Sequence, residues 1–107
     1  MLTVKYSQTS GITPVSNEIP GDFKLGQNYP NPFNPTTNIN FELPKGGFVK
    51  LTVYDMLGNE IDVPVKQLVS AGTYKVDWDA SKYSSGIYYY RITAGDYTET
   101  KKMILIK

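Results

Sequence analysis

Residues 73–106, TYKVDWDASKYSSGIYYYRITAGDYTETKKMILI, decide the fold class of this chain. Over 73–78, Tyr74, Val76 and Trp78 fall on one side and Thr73, Lys75 and Asp77 on the other, the period of two that marks a half-buried strand. Residues 81–86 read as a turn, 87–93 as a tyrosine-rich strand, Gly95-Asp96 as a hairpin tip and 97–106 as the returning strand. One charge sets the register of the tyrosine strand. Turning Ile87 and Tyr89 inward would bury Arg91 without a partner, so Tyr88, Tyr90 and Ile92 are expected inside. The start of that strand, Gly86-Ile87-Tyr88, fits a tyrosine corner, in which the phenol bonds back to upstream backbone. Trp78 is the expected anchor of the core.

The same alternation extends towards the N-terminus. Ile39, Phe41 and Leu43 share a face against Asn38, Asn40 and Glu42, and residues 44–47 (PKGG) turn the chain. Val49, Leu51 and Val53 then alternate with Lys50, Thr52 and Tyr54. The turn DMLGN at 55–59 offers Gly58 or Asn59 for a positive-φ position. Ile61, Val63 and Val65 continue through Pro64, and an interior proline confines that stretch to a sheet edge or a crossing loop. No helical period persists. About seven short strands with turn signals every 8–12 residues imply an all-β chain, an immunoglobulin-like antiparallel β-sandwich.

Residues 1–22 read as a linker with a possible remnant strand of a preceding domain at 2–6, and 23–107 as the folded domain. The stretch 7–22, SQTSGITPVSNEIPGD, is rich in Ser, Thr, Gly and Pro and holds few large apolar residues. The proline cluster YPNPFNP at 29–35 is incompatible with a helix and forces a stiff, polyproline-like or turn-rich lead-in to the first good strand. Tyr29 and Phe33 are expected to plug the end of the sandwich.

Composition narrows the function. A chain of 107 residues suits one domain. Its net charge of +1, with basic residues spread along it until the last seven positions, gives no broad electrostatic footprint for nucleic acid. Cysteine and histidine are both missing, which removes disulfides, thiolate metal sites, the commonest general base and the commonest transition-metal ligand. No cofactor, no metal and no catalysis are expected. Asp55, Asp77 and Asp79 lack the regular oxygen-ligand loop that calcium sites such as EF-hands use.

Four stretches in order carry a likeness. They are LGQNYPNPFNPTT at 25–37, VYDMLGNE at 53–60, SGIYYYRI at 85–92 and KKMILIK at 101–107. Together they resemble the type A C-terminal sorting domains of the type IX secretion system, found in Bacteroidota and related phyla. The resemblance implies an immunoglobulin-like domain that ends exported proteins, recognised in the periplasm and guided through an outer-membrane translocon by way of a shuttle protein. In many members a cell-surface sortase then removes the domain and joins the cargo to an anionic lipopolysaccharide. The implied location is the periplasm in transit, then the outer-membrane surface or the extracellular space.

The recognition candidates on these motifs are Tyr29, Pro30, Asn31, Pro32, Phe33, Asn34 and Pro35, then Gly58 and Gly86, and finally Lys101, Lys102, Ile104, Ile106 and Lys107. In the last strand Met103 and Leu105 are expected in the core. Ile104 and Ile106 are left on the other face, which suits either a strand that docks by edge addition or an apolar layer covered by a loop. The competing function is a carbohydrate-binding or adhesive sandwich, with Tyr83, Tyr89 and Tyr97 stacking on sugar rings. Position separates the two: a sorting domain must end its parent chain, whereas a binding module can sit anywhere.

Overall fold

The computed structural model describes residues 12–16 and 18–107. The strand expected at 2–6 lies outside the described residues. Eight strands form: β1 (Ile12–Ser16), β2 (Lys24–Leu25), β3 (Thr36–Leu43), β4 (Gly47–Tyr54), β5 (Glu60–Val69), β6 (Gly72–Asp79), β7 (Gly86–Ala94) and β8 (Tyr97–Leu105). They build two antiparallel sheets of four, ordered β1-β6-β3-β2 and β5-β4-β7-β8, which is the expected all-β sandwich.

The inner faces are those the alternation marks. Ile39, Phe41, Leu43, Val76 and Trp78 of the first sheet close against Val49, Leu51, Val53, Tyr90, Ile92, Met103 and Leu105 of the second, all buried. The tyrosine strand takes the register that keeps Arg91 outside, and the Tyr88 hydroxyl donates to the carbonyl of Ser84 at 2.6 Å, as a tyrosine corner requires. Trp78 packs its ring against Phe33, Tyr83 and Tyr88, with centroids 6.0, 5.6 and 6.3 Å away. Its indole N–H donates to Asp62 Oδ2 at 2.8 Å, so burial leaves no polar atom of the ring unpaired.

The strand through Pro64 is real and, among the described residues, lies at a sheet edge beside β4. Its register shifts between the Leu51–Val65 and Val53–Asp62 pairs, so the proline sits at the irregularity, where no ladder bond is needed from its nitrogen. Gly58 has a φ of 87°, which places the positive-φ residue of the 55–59 turn on the glycine rather than on Asn59.

Two elements differ from the reading of the sequence. Within the stretch read as linker, Ile12–Ser16 pairs with β6 from Ile12 opposite Val76 to Ser16 opposite Thr73. Only Ile12 is half-buried and the rest is exposed, so backbone bonds to an otherwise open edge hold this strand. Too few apolar side chains contribute for alternation to reveal it. At the other end β8 stops at Leu105, and Ile106 and Lys107 lie beyond it.

Candidate recognition site

The proline segment does not run as an extended polyproline helix. It bends repeatedly, with cis bonds at Tyr29-Pro30, Asn31-Pro32 and Asn34-Pro35. Buried polar groups hold its shape. Asn28, 2% exposed, donates from Nδ2 to Thr37 Oγ1 at 3.0 Å and to the Pro30 carbonyl at 3.2 Å. Thr37 donates to the same Pro30 carbonyl at 2.8 Å. The Tyr90 hydroxyl accepts the Asn28 backbone N–H at 2.8 Å and donates to the Gly26 carbonyl at 2.7 Å. Burial pushes the Tyr90 phenol up to about 12. Satisfied in this way, the cluster ties the box to the centre of the second sheet.

The box in turn lies against the C-terminal strand. Phe33 donates its N–H to the Ile104 carbonyl at 2.9 Å and accepts the Ile106 N–H at 2.9 Å, a parallel bridge to Leu105. Asn31 Oδ1 accepts the Ile104 N–H at 3.0 Å, and Gln27 Nε2 donates to the Lys102 carbonyl at 2.8 Å. The outer edge of β8 from Lys102 to Ile106 is therefore already bonded. A docking strand could not add there without displacing the box, which bonds the backbone edge of β8 but leaves the Ile106 side chain 52% exposed.

Of the two aromatic rings, only Phe33 plugs the sandwich end, at 2% exposure, while Tyr29 is 78% exposed. The difference follows from the bridges on each side. Tyr29 pairs with Asn38 of β3, whose side chain faces outward, whereas Phe33 pairs with inward-facing Leu105. Pro30, Asn31, Pro32 and Asn34 are exposed and Pro35 half-buried, its carbonyl accepting the Ala80 N–H at 2.8 Å. Among the two isoleucines, Ile106 is 52% exposed, but Ile104 is half-buried beside its cross-strand partner Ile87.

Other candidates gather at the same end. Tyr54, where β4 ends, pairs with Tyr89, and Gly86 opens β7 opposite Leu105. This brings the 55–59 turn beside Gly86 and the last residues of the chain. A groove of about 390 Å³ lies between them, lined by Asp55, Met56, Leu57, Ser85, Gly86 and Ile87 among others. The turn is pre-organised. Asp55 Oδ1 accepts the N–H groups of Leu57 (3.0 Å) and Asn59 (2.9 Å), and its backbone carbonyl accepts that of Gly58 (3.0 Å). These bonds, that from the Asn59 backbone first, hold the Asp55 carboxyl below its usual range. Lys107 joins the end by its backbone N–H to Ser85 Oγ at 2.9 Å and by its ammonium to the Ser81 carbonyl.

Lys101 and Lys102 are not part of this cluster and face opposite ways. Lys101 pairs with Glu99 at 3.4 Å, whereas Lys102 is exposed on the outer face beside Tyr89. The sugar-stacking tyrosines do not come together either. Tyr83 stacks on Trp78 and donates to the Ile61 carbonyl, Tyr97 stacks on Phe23, and Tyr89 lies on the outer face of β7. No sequence pattern marks Asn28, Thr37 and Tyr90 as the residues that hold the box. Asn28 and Thr37 flank the prolines within a quoted motif, but alternation carries no information about burial in an irregular segment.

No curated protein matches the chain. A family match does, to the family described as secretion system C-terminal sorting domain, over residues 27–107. The matched span starts just before the proline box and runs past Ile106, so it includes the hydrogen bonds from Gln27, Asn31 and Phe33 to the last strand. The chain belongs to the family of type IX secretion system C-terminal sorting domains.

Proposed function

We propose that this domain is read by the type IX machinery at the end of the sandwich where the proline box, the 55–59 turn and the final residues meet. Family membership gives the coarse role, a sorting signal that takes an attached cargo through the secretion system towards the cell surface or extracellular space. The observation that carries the finer reading is the bridge between Phe33 and Leu105, which makes one surface out of motifs from both ends of the domain. On that surface Tyr29, Met56, Leu57 and Ile106 are at least half exposed, although water disfavours such side chains.

In this reading the shuttle protein binds the assembled end in the periplasm and delivers the cargo to the outer-membrane translocon. A cell-surface sortase then cuts in the stretch before Phe23 and replaces the domain with a surface anchor. The test is a fusion of residues 8–107 behind a periplasm-targeted reporter. Reporter is expected at the cell surface in a host with the type IX system and in the periplasm of a translocon-deficient strain. Retention in the periplasm of the competent host would refute the reading. A sugar-binding role gains no support from the dispersed tyrosines.

A further inference from the structure

The net charge of +1 hides an uneven distribution. On the outer face of the second sheet each strand carries one cation: Lys66 on β5, Lys50 on β4, Arg91 on β7 and Lys102 on β8. The ladder makes them a diagonal. Lys50 stands directly opposite Lys66, Arg91 is opposite Thr52 two residues from Lys50, and Lys102 is opposite Tyr89 two residues from Arg91. Carboxylates flank this face at its margins: Glu60 opposite Tyr54, Asp96 in the β7–β8 turn, and Asp62, Asp77 and Asp79, which share a cleft with Lys66 at the β5 edge. The outer face of the first sheet differs, with Glu42, Asp77 and Asp79 interspersed with Lys24 and Lys75.

Folding accounts for Arg91, whose guanidinium lies 4.9 Å over the Tyr54 ring and donates to its hydroxyl, but not for the two paired lysines. Like charges directly opposite in a sheet destabilise it, and neither Lys50 nor Lys66 has a carboxylate in ion-pair contact; among the described residues the one ion pair is Lys101–Glu99. One row beyond these lysines, Phe48 and Leu68 also stand directly opposite each other on the outer face, 50% and 77% exposed. An apolar pair beside a cationic pair, on a face whose remaining cations spread across it, is the chemistry of a lipid–water boundary. Side chains such as Phe and Leu enter the acyl margin while lysine stems lie along it with their ammonium groups at the headgroups. A soluble polyanion would satisfy the cations but leave Phe48 and Leu68 in water.

We infer that the outer face of the β5-β4-β7-β8 sheet is a peripheral docking surface for an anionic lipid bilayer, with Phe48 and Leu68 inserted and Lys50, Lys66, Arg91 and Lys102 against headgroup phosphates. The opposite sheet, with its carboxylates, faces away. The surface is distinct from the end of the sandwich assigned to recognition, and its test needs no secretion machinery.

The test is co-sedimentation of the intact chain with vesicles of phosphatidylcholine, with and without phosphatidylglycerol. Binding is expected only to the anionic vesicles and is expected to weaken as salt rises. Lys50→Gln with Lys66→Gln should lower the affinity about thirtyfold, from the attraction of two lysines to an anionic surface. Because this change also relieves the like-charge pair, it should keep or raise the melting temperature. Phe48→Ser with Leu68→Ser should also lower the affinity, and Lys24→Gln with Lys75→Gln on the other sheet should leave it unchanged. No binding to anionic vesicles, equal binding to pure phosphatidylcholine, or an equal loss from the Lys24 and Lys75 change would overturn the inference.

Discussion

Phe33 and Leu105 are joined in a parallel backbone bridge although they belong to opposite ends of the domain. Leu105 closes the last strand of one sheet, and Phe33 precedes the first long strand of the other. The pairing fastens the sandwich end through two backbone hydrogen bonds. It also caps the edge of β8, which would otherwise offer unpaired N–H and C=O groups to any passing strand.

That cap depends on Asn28. Replacing it with Ala removes the side chain that holds the Pro30 carbonyl and Thr37, and should cost about 1–3 kcal/mol, as expected when buried partners are left unsatisfied. The backbone amides of Ile104 and Ile106 should lose hydrogen-exchange protection, while those paired between β3 and β6 keep theirs. Unchanged protection at Ile104 and Ile106 would show that the box holds its place without this network.

Trp78 tests the core. Trp78→Ala removes an indole that touches Phe33, Tyr83 and Tyr88 and leaves Asp62 Oδ2 without its donor. Chemical denaturation should show a loss of about 3–5 kcal/mol. A loss below about 1 kcal/mol would contradict the core described here, being far under the usual range for buried aromatics.

Tyr90 predicts alkaline weakening. Its phenol is pushed up to about 12, first by burial, so the fold favours the neutral form. The stability this gives is complete below the unfolded value of about 10 and is lost as pH rises through the folded value, a drop of about 2–3 kcal/mol. Tyr90→Phe should flatten this drop, leaving the part due to Tyr97, which is also pushed up to about 12, first by burial and then by its bond to Glu99. At neutral pH the same variant should cost about 1–3 kcal/mol, because the Gly26 carbonyl and the Asn28 N–H lose their partner. Identical stability curves above pH 10 for the two proteins would refute this role.

We propose that the boundary of the sorting domain lies just before Phe23. Residues 18–22 connect the edge strand β1 to β2 and contain the exposed Ile19. Limited proteolysis should cut there first and leave a resistant fragment beginning near Phe23. First cleavage within 49–78 would place the boundary elsewhere.

The sandwich was legible because its strands bury one face each, and a single charge, that of Arg91, fixed the register of β7 correctly. Pro64 located an edge strand for the same physical reason that it could not occupy a central one. The site was legible only as motifs. That the proline box lies on the last strand depends on side-chain bonds from Gln27, Asn28 and Asn31, and no local pattern encodes partners so distant in the chain. Strand β1 has no such signature, because backbone bonds hold it and these leave no trace in composition.

The most direct test of the central claim is the surface-exposed fraction of a reporter fused to residues 8–107 carrying Tyr29→Ser and Ile106→Ser. Both side chains are largely exposed, so the melting temperature should match that of the unaltered domain, surface substitutions of this kind changing stability by about 0.5 kcal/mol or less. The account predicts that the folded variant stays in the periplasm of a type IX-competent host while the unaltered fusion reaches the surface. Export of the variant at the unaltered level would contradict it, because the end of the sandwich would then not be what the machinery reads.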